Sequence, residues 1–215
     1  MQLTVTRLRK NLRNRVLSDA DLAKWNNIYA DSDNALPRSP SQFLCQNIHL
    51  ATPGRALDVA CGSGRNALFM AARGFAVDAI DISDVGLARA RTQADAQNLP
   101  IAWYCQDLLV ADPRLPHDNY KLIILFRFVA PALLPRLIDH LAPGGLLVIE
   151  EHMHVPNELM SEDISGPSSA RFRVAPGELS AALQHLELLN CHEGLVEEVN
   201  GSRAVLSQVI GRKPG

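Results

Sequence analysis

The stretch LDVACGSGRNALFM, Leu57 to Met70, joins an apolar run that closes on Asp58-Val59-Ala60 to a helix-forming segment through a turn holding Gly62 and Gly64. Reading outward, short apolar runs alternate with single helical stretches. RALDVA (55–60) leads into GRNALFMAARG (64–74), and FAVDAIDIS (75–83) leads into DVGLARARTQADAQ (84–97). IAWYCQD (101–107) and YKLIILF (120–126) read as the next two strands. ALLPRLIDHLAPGG (132–145) reads as a helix closed by Pro and Gly, and LLVIEEHM (146–153) as a fifth strand. Near-continuous apolar strands separated by single helices predict a mostly parallel sheet covered on both faces.

The flanks extend this pattern. LSDADLAKWNNIYA (17–30), opened by a capping-box-like Ser18 and Asp21, and SQFLCQNIHL (41–50) predict an N-terminal helical cap over residues 1–50. HVPNELMSEDISGPSSARFRV (154–174) reads as a mobile loop, and PGELSAALQHL (176–186) as a short helix. Two further β-like runs flank Asn200-Gly201, a hairpin signal, so the sheet is expected to end in an antiparallel hairpin. The expectation is one doubly wound α/β domain with seven strands, residues 51–215 forming the core.

With 215 residues, 47% hydrophobic and 20% charged, the composition is that of an ordinary globular chain, and no apolar run is long enough to span a bilayer. The net charge of −2 gives no general attraction to nucleic acid. Local charge differs: Arg7, Arg9, Lys10, Arg13 and Arg15 precede the first acid at Asp19, as a solvated tail, an anion-binding arm or a presequence would. Cys45, Cys61, Cys105 and Cys191 form no C-x-x-C pair, which speaks against a zinc site or disulfide framework and for a reducing, cytoplasmic compartment.

In doubly wound sheets a ligand sits at the carboxyl ends of the strands, where the first strand–helix turn lies. The glycines let backbone approach it, with a helix N-terminus behind them. Asp58, four residues before Gly62, would repel a dinucleotide pyrophosphate but hold an ammonium group. Asp81 ends the second strand, where a carboxylate accepts bonds from ribose hydroxyls. Asp107 follows the third, placed either to meet an adenine amino group with Leu108 beside the ring, or to cap the turn. No G-x-x-x-x-G-K-[ST] cradle and no G-x-S-x-G elbow occurs.

LDVACGSGRNALFMAARGFAVDAIDIS (57–83) resembles the first two motifs of class I S-adenosylmethionine-dependent methyltransferases, and YKLIILF with LAPGGLLVIEEH resembles their fourth and fifth strands. The Gly-Arg-Asn after the turn and the Trp-Asn-x-x-Tyr-Ala helix are most similar to the tellurite-resistance-type small-molecule branch. The resemblance implies a Rossmann-like methyltransferase fold. It makes Asp58, Gly62 and Gly64 the methionine-side turn, Asp81 the ribose acid, and Asp107 with Leu108 the adenine contact. Ala60, Arg65, Asn66, Ile82 and Phe126 complete the cofactor-binding set, with S-adenosylmethionine as cofactor and S-adenosylhomocysteine as product. Ala60 departs from the more frequent glycine, and Phe126-Arg127-Phe128 lacks the Asn/Asp-Pro-Pro-aromatic signature of enzymes that methylate nucleobase amines.

The implied partner is a small-molecule methyl acceptor, with no membrane or nucleic acid partner and no metal. No oligomeric state follows from the sequence. Arg127 is a candidate to bind an anionic substrate group or a surface Arg paired with an acid, and His152 and His154, alternating at the end of the fifth strand, are candidates for a base or metal ligand or an ordinary polar strand end. Glu150 and Glu151 read either way too. Trp25 and Tyr29 are placed to cover the pocket or to pack the helix, and Arg171 and Arg173 to close over an acidic substrate or to face solvent. Cys61 reads as a packing residue, with no His near it in the motif. Two other classes stay open: a nicotinamide-dependent oxidoreductase, to which G-x-G-x-x-A and a strand-ending acid fit loosely, and a cofactor-binding protein without chemistry.

Overall fold

The computed structural model describes residues 19–31, 39–155, 164–198 and 200–215. The basic segment before Asp19 and the Ser18 cap lie outside them. Two helices come first, α1 (Asp19–Ala30) and α2 (Gln42–Asn47), the latter capped by the Ser41 hydroxyl, which accepts from the Leu44 N–H. Then strands and helices alternate: β1 (Arg55–Val59), α3 (Arg65–Ala71), β2 (Ala76–Asp81), α4 (Asp84–Ala96), β3 (Ile101–Cys105), β4 (Tyr120–Phe126), α5 (Leu134–Asp139) and β5 (Leu141–His152). The chain ends with β6 (Ile164–Ser165), α6 (Glu178–Ala182), β7 (Glu187–Glu197) and β8 (Arg203–Arg212).

The strands lie in the order β3-β2-β1-β4-β5-β8-β6, with β7 paired to β8. β1 to β5 run parallel, whereas β8 is antiparallel to β5 and to β7. The order reverses between β1 and β4, which opens a crevice at the carboxyl ends of those two strands. The apolar strands divide by period two between the sheet faces. Leu57, Ile123, Leu125, Leu147 and Ile149 pack on one side with α5 and α6, and Ala56, Leu122, Ile124, Leu146 and Val148 pack on the other with α2, α3 and α4. Asp58 continues the second row as a carboxylate among apolar neighbours.

Two expectations are corrected. The helix read over 132–145 ends at Asp139, and Leu141 to Gly145 already belong to β5. Pro143-Gly144-Gly145 forms a break in register: Tyr120 pairs with Leu141 and the next pair is Leu122 with Leu146, Gly144 taking φ +71°. The 154–174 segment also contributes the two-residue β6 and a bridge from Met153 to Val174, so the described sheet has eight strands rather than seven. Among the described residues no helix is long and apolar enough to cross a membrane.

Gly64 opens α3 with φ +80°, and a Cβ there would stand 2.8 Å from both Ala90 Cβ and Trp103 Cη2. It is therefore a packing requirement for seating α3 against α4 and β3. Gly64→Ala is expected to destabilise the chain by about 2–5 kcal/mol, left-handed strain adding to overpacking. The check is the midpoint of urea unfolding, and an unchanged midpoint would mean that α3 seats differently.

Candidate functional site

The turn after β1 is held by the end of β2. The Gly62 N–H donates to Asp81 Oδ2 and the Ser83 N–H to Asp81 Oδ1, both at 2.8 Å. The Cys61 N–H donates to the Ile80 carbonyl at 2.9 Å. Ala60 and Gly62 both sit in the left-handed region, with φ +57° and +56°. The turn is thus fastened at the reversal point of strand order, where Gly62 has no side chain. Burial raises the Asp81 carboxyl above its usual range, against the opposing effect of the Ser83, Gly62 and Ile82 backbone bonds.

Helix α1 lies over this turn. A Cβ at Gly62 would stand 2.5 Å from the Tyr29 hydroxyl, and one at Gly86 would stand 3.0 Å from Tyr29 Cδ2, so the two glycines form a slot for that ring. The helix is tied down by Ser83 Oγ, which donates to Asn26 Oδ1, and by Arg89, which donates to the carbonyls of Tyr29 and Asp31. A cation at the helix C-terminus also suits the helix dipole. Trp25 stacks on Tyr29 with ring centroids 5.9 Å apart.

Together these elements enclose a cavity of about 1130 Å³. That exceeds the roughly 300–1,000 Å³ of ordinary small-molecule sites, so there is room for two ligands side by side. Asp58, Ala60, Gly62, Arg65, Asn66, Asp81, Ile82, Leu108 and Phe126 stand on its wall, with Trp25, Tyr29 and Cys61. Arg127, Glu150 and His152 form part of the opposite half.

Four of the residues singled out from sequence stand elsewhere. Gly64 serves the packing of α3. Asp107 is off the wall: its Oδ1 accepts from the Leu109 N–H at 2.8 Å, an Asx turn, while Leu108 beside it points inward. His154 lies past the end of β5, exposed, with its N–H given to the Val174 carbonyl. Glu151 is buried off the wall and accepts from the Phe128 N–H. The two loop arginines are also engaged: Arg171 pairs with Asp21 of α1, and Arg173 donates to the carbonyls of Pro167 and Met153. Residues that the sequence did not flag complete the wall, among them Ser41, Glu198 and Gln208.

Asp58 is the unusual group. It is 2% exposed, and the Ala67 N–H bonds its carboxylate, yet Oδ2 has no hydrogen-bond partner among the described residues. Burial pushes its pKa up to about 8, against the lowering effect of Arg65. Asp78, equally buried near the start of the sheet, is by contrast satisfied by the Tyr120 hydroxyl at 2.9 Å and by Arg55 at 3.3 Å. A buried carboxylate oxygen facing a cavity is a site for a cation that donates hydrogen bonds.

In the other half, Arg127 leaves β4 with φ +60°. Its Nη2 donates to Glu150 Oε1 at 3.1 Å and to Glu198 Oε1 at 2.5 Å, and its Nη1 to His152 Nε2 at 2.8 Å. Burial first, and then Arg127 and Arg173, bring the His152 pKa down to about 3. The ring is therefore neutral and spends Nε2 as an acceptor. Glu150 is a hub, receiving Ser41 Oγ at 3.3 Å and Gln208 Nε2 at 2.7 Å as well. Burial raises the Cys61 thiol well above its usual range, so it is a poor nucleophile. Among the described residues no three His, Cys, Asp or Glu side chains converge as metal ligands.

Residues 56–145, the turn and the strands around it, match the family described as a methyltransferase domain. Over that segment the chain is similar to methyltransferase domains. It is 25% identical over 162 residues to the probable S-adenosyl-L-methionine-dependent methyltransferase TehB of Haemophilus influenzae, covering 72% of this chain and 54% of TehB. The TehB crystal structure superposes with a TM-score of 0.66 at 23% identity, over 79% of this chain and 61% of that one. Trans-aconitate 2-methyltransferase of Methylobacterium nodulans is 28% identical over 193 residues, 76% of this chain and 73% of that protein. The N-methyltransferase NodS of Bradyrhizobium japonicum, solved with S-adenosyl-L-homocysteine, shares the fold with a TM-score of 0.63 at 16% identity, over 90% and 98% of the two chains. The chain spans about half the length of the TehB relatives that it matches.

The raised pKa of Asp58 makes stability depend on pH with a definite sign. A carboxyl whose folded-state value lies above its unfolded value of about 3.9 contributes fully below that value and loses the contribution as pH rises through about 8. Without ligand, the chain is expected to lose stability across that window, and Asp58→Asn to flatten the slope. Chemical denaturation at a series of pH values reads both, and equal slopes would mean that Asp58 is solvated.

Proposed function

We propose that this chain is an S-adenosylmethionine-dependent methyltransferase acting on a small-molecule acceptor, as a single domain in which the N-terminal helices cap the α/β core. The observation that carries this is Asp58 Oδ2, buried near the end of β1 beside the Gly62 turn with no hydrogen-bond partner among the described residues. A dinucleotide pyrophosphate would be repelled there, whereas the ammonium of an amino-acid-bearing cofactor supplies both charge and donors.

The remaining wall residues suit the same ligand. Arg65 lies on the wall near Asp58 and is suited to the cofactor's carboxylate. Both Asp81 oxygens accept backbone bonds and keep capacity for a ribose hydroxyl. Ile82 and Leu108 offer apolar surface for the adenine, and Phe126 lies on the same wall. When bound, the cofactor supplies a methyl group already made electrophilic by its sulfonium. The chain's task is then to align the acceptor, exclude water and hold charges, and alignment of that kind accounts for up to about 7–11 kcal/mol in favourable cases.

His152 does not suit the role of general base, because its ring nitrogen already accepts from Arg127 and its pKa lies near 3. Acceptors that lose no proton on methylation suit this site best. The scattered free thiols fit a reducing, cytoplasmic setting.

Calorimetric titration with S-adenosylmethionine, S-adenosylhomocysteine and NAD in parallel tests the proposal. The two sulfur ligands are expected to bind, NAD not, and Asp58→Ala to weaken both about 10- to 100-fold, the worth of a charged hydrogen bond. Affinity is also expected to rise with pH up to about 8, since binding the ammonium requires the Asp58 carboxylate. Binding of NAD alone would replace this proposal with the oxidoreductase reading.

A further inference from the structure

Arg127 holds more carboxylate than one guanidinium needs. Glu150, with its side chain 5% exposed, is a fixed partner, because Ser41 and Gln208 bond it as well. Glu198 differs: its side chain is 26% exposed and it sits just past the end of β7, where the hairpin turns. Its N–H donates to the Ser202 carbonyl and its carbonyl accepts from Gly201, so its backbone belongs to the turn. Both carboxylates converge on one nitrogen, Nη2. Meanwhile Nε, on the same edge of the guanidinium, is buried and has no partner among the described residues.

That edge, Nε with Nη2, is the one that a carboxylate grips with two parallel bonds. Glu198 meets only half of it. A ligand carboxylate arriving through the cavity would take the Nη2 bond from Glu198 and add the Nε bond that Glu198 leaves unmade. The exchange replaces one negative charge by another, so Glu150 opposes the incoming group no more than it opposes Glu198. The neutral ring of His152 adds no charge on either side.

Resting on the methyltransferase reading, we propose that Arg127 anchors a carboxylate of the methyl acceptor, and that Glu198 occupies the position until the acceptor displaces it. Glu198 is then a built-in competitor. It fills half of the guanidinium edge in the free protein and sets the affinity for the acceptor.

The test uses the full chain saturated with S-adenosylhomocysteine, titrated by NMR with propionate and succinate and, in parallel, with propionamide and succinamide. The carboxylates are expected to bind more tightly than the amides. Glu198→Gln should tighten the carboxylates about tenfold and leave the amides unchanged, and Arg127→Lys, which keeps the charge but loses the two-bond edge, should weaken the carboxylates about tenfold. Unchanged S-adenosylhomocysteine affinity in each variant reports that the fold is intact. Carboxylates binding no better than amides, or no gain from Glu198→Gln, would overturn the proposal while leaving the methyltransferase reading in place. Failure of the wild-type chain to bind S-adenosylhomocysteine would overturn both.

Discussion

The two bonds from the Gly62 and Ser83 N–H groups to the Asp81 carboxylate are the constraint on which the rest of the site depends. The first fastens the end of β2 to the turn after β1, which borders the reversal of strand order, and the second closes the turn that leads into α4. Once the turn is fixed, Gly62 makes the floor of a slot that admits the Tyr29 ring, and α1 can close over the cavity. Without them, Ala60 and Gly62 would have no reason to persist at positive φ, a conformation that costs an L-residue roughly 1–2 kcal/mol. An acid that bonds backbone on both oxygens is thus first a structural clasp. Its remaining lone pairs are what a ribose could use.

The contrast between Asp58 and Asp78 separates structural burial from functional burial. Both are 2% exposed, both lie on neighbouring parallel strands, and both would be costly if charged and unpaired. Asp78 has the Tyr120 hydroxyl and Arg55, so its cost is met within the fold. Asp58 keeps one oxygen unmet and faces a cavity. A fold selected only for stability would place an apolar residue there, continuing the row of Ala56. The residue that breaks that row is one that packing alone does not account for.

Most of the fold was legible because the β1–α3–β2–α4 unit is local in sequence and each strand alternates between two buried faces. The helix read through Leu141 to Gly145 failed because Pro and Gly mark a bulge within β5 as readily as a helix end, and only pairing with Tyr120 decides. In the site, the residues nearest the turn were readable and those beyond it were not. Asp107 and Leu108 are adjacent, yet the carboxylate folds back on its own backbone while the leucine enters the cavity. His152 lines the cavity and His154 does not, because the period-two rule lapses where the strand stops, after His152. Glu198 and Gln208 gave no local signal at all. The Asn200-Gly201 hairpin fixed their pairing but not the fact that β7 and β8 line the cavity.

Ala60 and Arg127 sit just past the ends of β1 and β4, the neighbouring strands where the order reverses, and both carry positive φ although neither is glycine. Strain at such paired positions persists only if surrounding contacts over-determine it. For Ala60 the contacts are the backbone bonds of the turn and β2. For Arg127 they are the bond from its N–H to the Glu150 carbonyl at 2.9 Å and the fan of side-chain bonds to Glu150, His152 and Glu198. Each strained residue redirects the chain so that polar groups face the cavity, on one side the turn around Asp58 and on the other the guanidinium edge. The two walls are linked through Ser41, whose N–H donates to Asn66 Oδ1 and whose hydroxyl donates to Glu150. The sheet supplies both walls from adjacent strands, and the helices and hairpin drawn from opposite ends of the sequence close the space between.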